Sequence, residues 1–211
     1  MRLTKEKIQP LLDLYEERKS AIQARLLDFS RVAPADYFYE LAYCLMTPQS
    51  SAIHADAVVS ILRSRQFLEI GFDPESILRE KQHYIRFHRN KARYLLEIRQ
   101  TLEAILNALS NGHTSEGMRE WLVDNVKGFG YKEASHFLRN IGRNSGLAIL
   151  DRHILRNLRR YGAIRRIPAS LSKKQYFSIE KRFREFSSLV GIPMDELDLL
   201  FWSTETGEIR K

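Results

Sequence analysis

Val126-Lys127-Gly128-Phe129-Gly130-Tyr131-Lys132-Glu133-Ala134, continued by Ser135-His136-Phe137-Leu138-Arg139-Asn140-Ile141-Gly142, decides how the rest of the chain is read. Two glycines flank one apolar residue, and a lysine stands two places after the second. Glycine permits positive φ or the close approach of another backbone. Ala134, Phe137, Leu138 and Ile141 then recur at i, i+3, i+4 and i+7, one buried face of a helix. Gly142 ends that helix in the C′ position. Trp121, Leu122 and Val126 belong to a helix upstream, so the glycines predict a tight hairpin between two helices. Such a hairpin presents several free backbone N–H groups, backed by the positive end of its second helix, and suits the gripping of a phosphate.

Lys132 falls close to that helix N-terminus, where the macrodipole disfavours a cation. Partial desolvation there would free the amine as a nucleophile. The other reading is a solvated lysine reaching back to phosphate, and a single Gly-x-Gly does not choose between them. Nineteen residues after Lys132 comes Asp151, within Ala148-Ile149-Leu150-Asp151-Arg152-His153-Ile154-Leu155-Arg156. Asp151 follows an apolar run and precedes the helical pattern Ile154, Leu155, Leu158, so it reads as an N-cap. A capping side chain has a fixed position, which also suits a catalytic carboxylate.

The Gly-hydrophobic-Gly hairpin, the lysine two residues on and the aspartate after a short loop resemble the helix-hairpin-helix DNA glycosylase superfamily. The resemblance implies that Lys132 is the nucleophile of a bifunctional glycosylase/lyase and Asp151 its carboxylate partner. Lys127 departs from the pattern, standing where the superfamily usually has proline, a change in hairpin stiffness and phosphate contact. Phe38-Tyr39-Glu40-Leu41 with Met46-Thr47-Pro48-Gln49-Ser50-Ser51-Ala52 is similar to an early helix of the superfamily and its Gln-containing turn. Phe87-His88-Arg89-Asn90-Lys91-Ala92 is similar to the segment before its long middle helix. Together these matches cover roughly residues 30–160. The closing run from Leu200 through Phe201-Trp202 to Lys211, with the short chain, resembles the compact prokaryotic type 2 branch of 8-oxoguanine DNA glycosylases.

From that resemblance follow an all-α fold and two helical lobes with the active-site cleft between them. The first is a bundle of residues 30–146 holding the hairpin; the second joins 1–29 to 147–211. The substrate implied is damaged double-stranded DNA, with no cofactor or metal, no obligate protein partner, and a monomer as the working form. A nucleotide inside a duplex must be extruded before its C1′ is reached, at a cost of a few kcal/mol. Gly128, Gly130, Lys127, His153 and Arg156 are expected to hold the backbone around it. Gln49 stands where superfamily members fill the gap left by the flipped base, or else is a turn residue bonding its own backbone. Phe87 and Trp202 are aromatic candidates for the faces of the extruded base, though a core role would also account for either. Lys211 is the candidate for its edge. His136 is expected to be structural.

Composition agrees with an anionic partner. The chain has 211 residues, 44% of them hydrophobic, enough for one domain or two small ones. Net charge is +8 and the pI near 9.6. Between Asp151 and Arg184 stand eleven Lys or Arg against only Asp151 and Glu180, while charges elsewhere balance to within one. A merely solvated face would mix signs, so nucleic acid is the better reading of this segment. Cys44, the single cysteine, excludes an internal disulfide and a four-cysteine iron–sulfur cluster. No apolar run approaches the ~20 residues that span a bilayer, and no signal-peptide pattern opens the sequence, so an intracellular, cytoplasmic protein is expected.

Periodicity predicts helices over 9–29, with Pro10 in the first turn, and over Tyr37–Met46, an apolar helix central to the core. Ser50 or Ser51 is expected to cap the next one. A long amphipathic helix is predicted over 90–109, others over 151–161 and Lys173–Val190, and a last one from Pro193 to Trp202; no strand is predicted. Three other functions remain open at this stage. One is a glycosylase/lyase for an oxidised pyrimidine or a mismatched base; another is a non-catalytic helix-hairpin-helix DNA-binding module. The last is a basic adaptor protein.

Overall fold

The structure, a computed structural model, describes residues 5–209. Among these residues there is no strand, and no helix is long and apolar enough to cross a membrane. Eleven α-helices follow one another among them: α1 (Lys5–Ser30), α2 (Tyr37–Met46), α3 (Ala52–Ser64), α4 (Phe67–Ile70), α5 (Glu75–Arg79), α6 (His88–Ser110), α7 (Ser115–Asn125), α8 (Tyr131–Asn140), α9 (Arg152–Arg160), α10 (Lys173–Val190) and α11 (Met194–Thr206). Val32–Phe137 makes one compact unit, and the chain on either side of it makes the other.

Within Val32–Phe137 the centre is α2. All ten of its residues are buried, as befits a helix apolar on every side. It packs against α3 and α6, and α6 in turn packs against α5 and α7. Cys44 is buried in this helix, and Tyr43 meets the buried His136 ring edge-on at 5.6 Å, a packing role for that histidine.

In the flanking unit α11 is central and packs against α1, α9 and α10. Leu197, Leu199, Leu200 and Phe201 are wholly buried, and the Phe201 ring stacks on Tyr161 at 5.8 Å and on Phe183 at 6.1 Å. Ile154, Leu155 and Leu158 supply the buried stripe of α9. Arg139 pairs with Asp198 at 3.3 Å, both almost fully buried, and lies over the Phe29 ring. Single removal of either charge would take from the other its ion-pair partner in a low-dielectric core.

Three expectations change. Helix α1 begins at Lys5, so Pro10 sits six residues in and gives up one ladder hydrogen bond, while Glu6 supports the first turn. Ser51 is the N-cap of α3 without a side-chain cap bond, and Ser50 instead accepts from the Arg86 N–H at 3.0 Å. The last helix runs four residues past Trp202, because Ser203 is buried, bonded to the Leu200 carbonyl and reached by Arg18 of α1; Gly207 then closes it.

Candidate active site

The hairpin forms as its glycines predict, but the two glycines do different things. Gly128 adopts φ 85°, and a Cβ there would lie 2.7 Å from both Leu45 Cδ1 and Tyr94 Cδ2. Gly130 is not left-handed; a Cβ would meet only the Glu133 carboxylate, at 3.2 Å. The Phe129 N–H closes the turn on the Val126 carbonyl, and the Ala134 N–H starts the α8 ladder on Gly130. The Gly130 N–H already donates to Glu133 Oε2 at 3.0 Å. Of the hairpin N–H groups expected to be free, this one is capped by a side chain three residues on, in the manner of N3 carboxylates. Lys127 and Gly128 are exposed at the tip.

Lys132 is the second residue of α8, with one-fifth of its side chain exposed. Its Nζ donates to Thr47 Oγ1 at 3.2 Å and lies 3.9 Å from Glu133 Oε1. Behind Thr47 is a residue whose importance the sequence reading missed. Lys91, 6% exposed, donates to the carbonyls of Met46 and Pro48, each at 2.8 Å. Burial first and then the neighbouring Lys132 lower its pKa to about 8, with Glu133 partly opposing both. A signal was present, since Lys91 stands at i relative to Leu95 and Ile98 at i+4 and i+7, on the apolar face of α6.

Gln49 and Phe87 sit in the same unit, each left-handed, at φ 56° and 60°. Such conformations cost non-glycine residues on the order of 1–3 kcal/mol and gather at functional sites. The Ser50–Arg86 hydrogen bond ties the two loops together. The Phe87 ring is half-exposed, with the Arg86 guanidinium 5.0 Å from its centroid.

Asp151 belongs to the flanking unit and is the N-cap of α9, as expected: Oδ1 accepts from the Ile154 N–H at 2.8 Å. The other oxygen, Oδ2, accepts the indole N–H of Trp202 at 2.8 Å. Trp202 therefore has a polar partner that the reading of it as an aromatic face did not supply. His153 lies edge-on to that indole, and His153 and Arg156 each come within 3.6 Å of Glu205. All eleven basic residues between Asp151 and Arg184 are exposed. Lys211 lies outside the described residues. Among those residues, no group of three or more His, Cys, Asp or Glu side chains is placed to hold a metal ion.

A family model described as 8-oxoguanine DNA glycosylase matches residues 22–192. The chain is 40% identical over 207 residues to the 8-oxoguanine DNA glycosylase/AP lyase of Fusobacterium nucleatum, covering 94% of each chain. It superposes on the crystal structure of the 8-oxoguanine DNA glycosylase of Thermotoga maritima with a TM-score of 0.83 at 32% identity, over 98% of this chain and 99% of that one. The 8-oxoguanine glycosylase/lyase of Methanocaldococcus jannaschii, solved in complex with a 15mer DNA containing 8-oxoguanine, gives 0.81 at 34% identity, over 95% and 99%. With a family model spanning most of the sequence and relatives of this identity matched over nearly their whole length, the chain belongs to the helix-hairpin-helix 8-oxoguanine DNA glycosylase family.

Proposed function

We propose that this protein is a bifunctional DNA repair glycosylase/AP lyase that removes 8-oxoguanine from duplex DNA, with Lys132 as its nucleophile. The observation that carries the assignment to Lys132 is the setting of its side chain: four-fifths buried at the start of the hairpin helix, yet with its amine held, among the described residues, by nothing stronger than one threonine hydroxyl and a carboxylate at 3.9 Å. An amine so held is kept from bulk water and can still be released to attack.

The damaged nucleotide is extruded from the stack, and the exposed arginines and lysines of residues 151–184 neutralise the surrounding phosphates. The neutral Lys132 amine attacks C1′; its N–C bond forms as the N-glycosidic bond breaks, and the base leaves with the bonding pair, taking up the proton that the attacking nitrogen releases by way of Asp151. The attacking nitrogen gives up its proton to Asp151, whose carboxylate also stabilises positive charge developing on the sugar. The sugar ring opens to an imine between Lys132 and C1′. Loss of a C2′ proton then expels the 3′ phosphate, nicking the strand by β-elimination. Phe87 and Trp202 offer aromatic faces to the extruded base and Lys211 a polar group to its edge, while Gln49 fills the vacated stack. Gly128, Lys127, His153 and Arg156 contact the backbone. The reaction calls on no metal or organic cofactor, since lysine and aspartate supply nucleophile and proton acceptor, and one chain on damaged DNA suffices.

The test is a substrate panel: duplexes carrying 8-oxoguanine, an oxidised pyrimidine or an abasic site, with base release and nicking followed separately. Release of 8-oxoguanine with nicking at both that lesion and the abasic site is expected. Release of the oxidised pyrimidine alone would reassign the substrate, and binding without release or nicking would leave only a DNA-binding module.

A further inference from the structure

The proposed chemistry gives Lys132 a task and leaves Lys91 with none. Yet both ammonium groups hang on one three-residue turn. Lys91 Nζ takes the carbonyls of Met46 and Pro48, and Thr47, the residue between them, takes Lys132 Nζ on its hydroxyl. The turn lies at the C-terminal end of α2, where orphan carbonyls attract a donor. Capping does not explain the charge. A neutral donor would satisfy two carbonyls, whereas a buried ammonium with only neutral hydrogen-bond partners is costly.

We propose that Lys91 is a positioning residue for the reaction of Lys132: its ammonium fastens the turn that holds the Lys132 amine and sets a like charge behind that amine, opposing its protonation. The inference rests on Lys132 being the nucleophile. The lowering of Lys91 to about 8, by burial first and then by Lys132, accords with two ammonium groups that act on each other. Coupling of this kind is reciprocal. Glu133, on the same helix as Lys132, works in the opposite sense, and its second oxygen is occupied by the Gly130 N–H. Of the other ionisable groups, Tyr131 gives its hydroxyl to Glu120, and Asp151, the proposed proton acceptor, is kept in every variant below.

The experiment is single-turnover borohydride trapping on a duplex with a preformed abasic site, followed against pH, with DNA affinity measured alongside. In Lys91→Met the acidic limb of the profile moves up by about one pH unit, the effect of losing one nearby like charge, and trapping at neutral pH falls about tenfold. Lys91→Arg restores the position of the limb. A residue that only capped α2 would change the folded fraction and leave the limb where it was; a limb coincident with wild type in folded Lys91→Met overturns the proposal. Should Lys91→Met not fold, the Lys91 amine is titrated by NMR in wild type and in Lys132→Gln. Its midpoint moves up in Lys132→Gln if the two groups are coupled, and an unmoved midpoint refutes the coupling. Lys132→Gln also separates the two failures. If it still traps, the nucleophile is elsewhere; if it is inert and the Lys91→Met limb stays put, only the role of Lys91 falls.

Discussion

Replacing Trp202 by phenylalanine separates two tasks that fall to one side chain. The indole N–H donates to Asp151 Oδ2 at 2.8 Å, while Oδ1 remains on the Ile154 N–H at 2.8 Å. Phenylalanine keeps an aromatic face and removes the donor. A hydrogen bond to a charged group contributes about 1.5–3 kcal/mol, and water can reach this half-buried carboxylate, so a loss of about 1.5–2 kcal/mol is expected. If that energy holds Asp151 in the orientation that takes the proton, the rate falls about 10–30-fold, at roughly 1.4 kcal/mol per decade. The assay is single-turnover nicking of a preformed abasic site, where no base is present to stack. A tryptophan that only stacked on the base would leave this step untouched. Trp202→Phe nicking at the wild-type rate would therefore refute the orienting role. Trp202→Ala, which also removes the aromatic face, should depress excision of 8-oxoguanine more than it depresses nicking.

Replacing Arg156, Arg159 and Lys173 together should weaken binding to all DNA sequences and reduce the log–log salt slope by about one for each phosphate no longer neutralised; an unchanged slope would turn this segment away from DNA. Gly128→Ala imposes a left-handed alanine on a site where its Cβ meets Leu45 and Tyr94 at 2.7 Å, and should cost about 2–3 kcal/mol in denaturant melts. Gly130→Ala needs only a small shift of Glu133 and should cost less than about 1 kcal/mol, so equal losses at the two positions would contradict the hairpin geometry. Lys91 titrates in the folded protein near 8, below its ordinary 10.5, so its ionisation penalty is present in full below about pH 8 and is relieved as the pH climbs toward 10.5. Wild type should gain stability relative to Lys91→Met across that window, and a difference independent of pH would contradict the buried ammonium.

What local chemistry encodes was readable from the sequence. The all-round apolar run of α2, the 3.6-residue stripe of α8 and the capping aspartate of α9 all depend on residues within a few positions of one another. Even the Glu133 cap on Gly130 is a three-residue signal, passed over because the glycines suggested an open cradle. Contacts between distant segments were not readable. The Trp202–Asp151 bond joins residues 51 apart, and the Ser50–Arg86 bond joins residues 36 apart. Nothing in the periodicity of α6 distinguishes a lysine that snorkels to water from Lys91, buried on carbonyls 45 and 43 residues upstream. The basic stretch after Asp151 was legible as charge, but the pairing of Arg156 and His153 with Glu205 depends on the docking of α11.

The nucleophile itself can be identified by mapping the borohydride-reduced adduct. Wild-type protein is trapped on a duplex containing 8-oxoguanine, digested with trypsin and sequenced by mass spectrometry. The modification should fall on Lys132, within a peptide of residues 128–139 left uncleaved at its centre, and Lys132→Gln should bind the same duplex without forming any adduct. An adduct on another amine, or a borohydride-stable complex formed by Lys132→Gln, would contradict the assignment of Lys132.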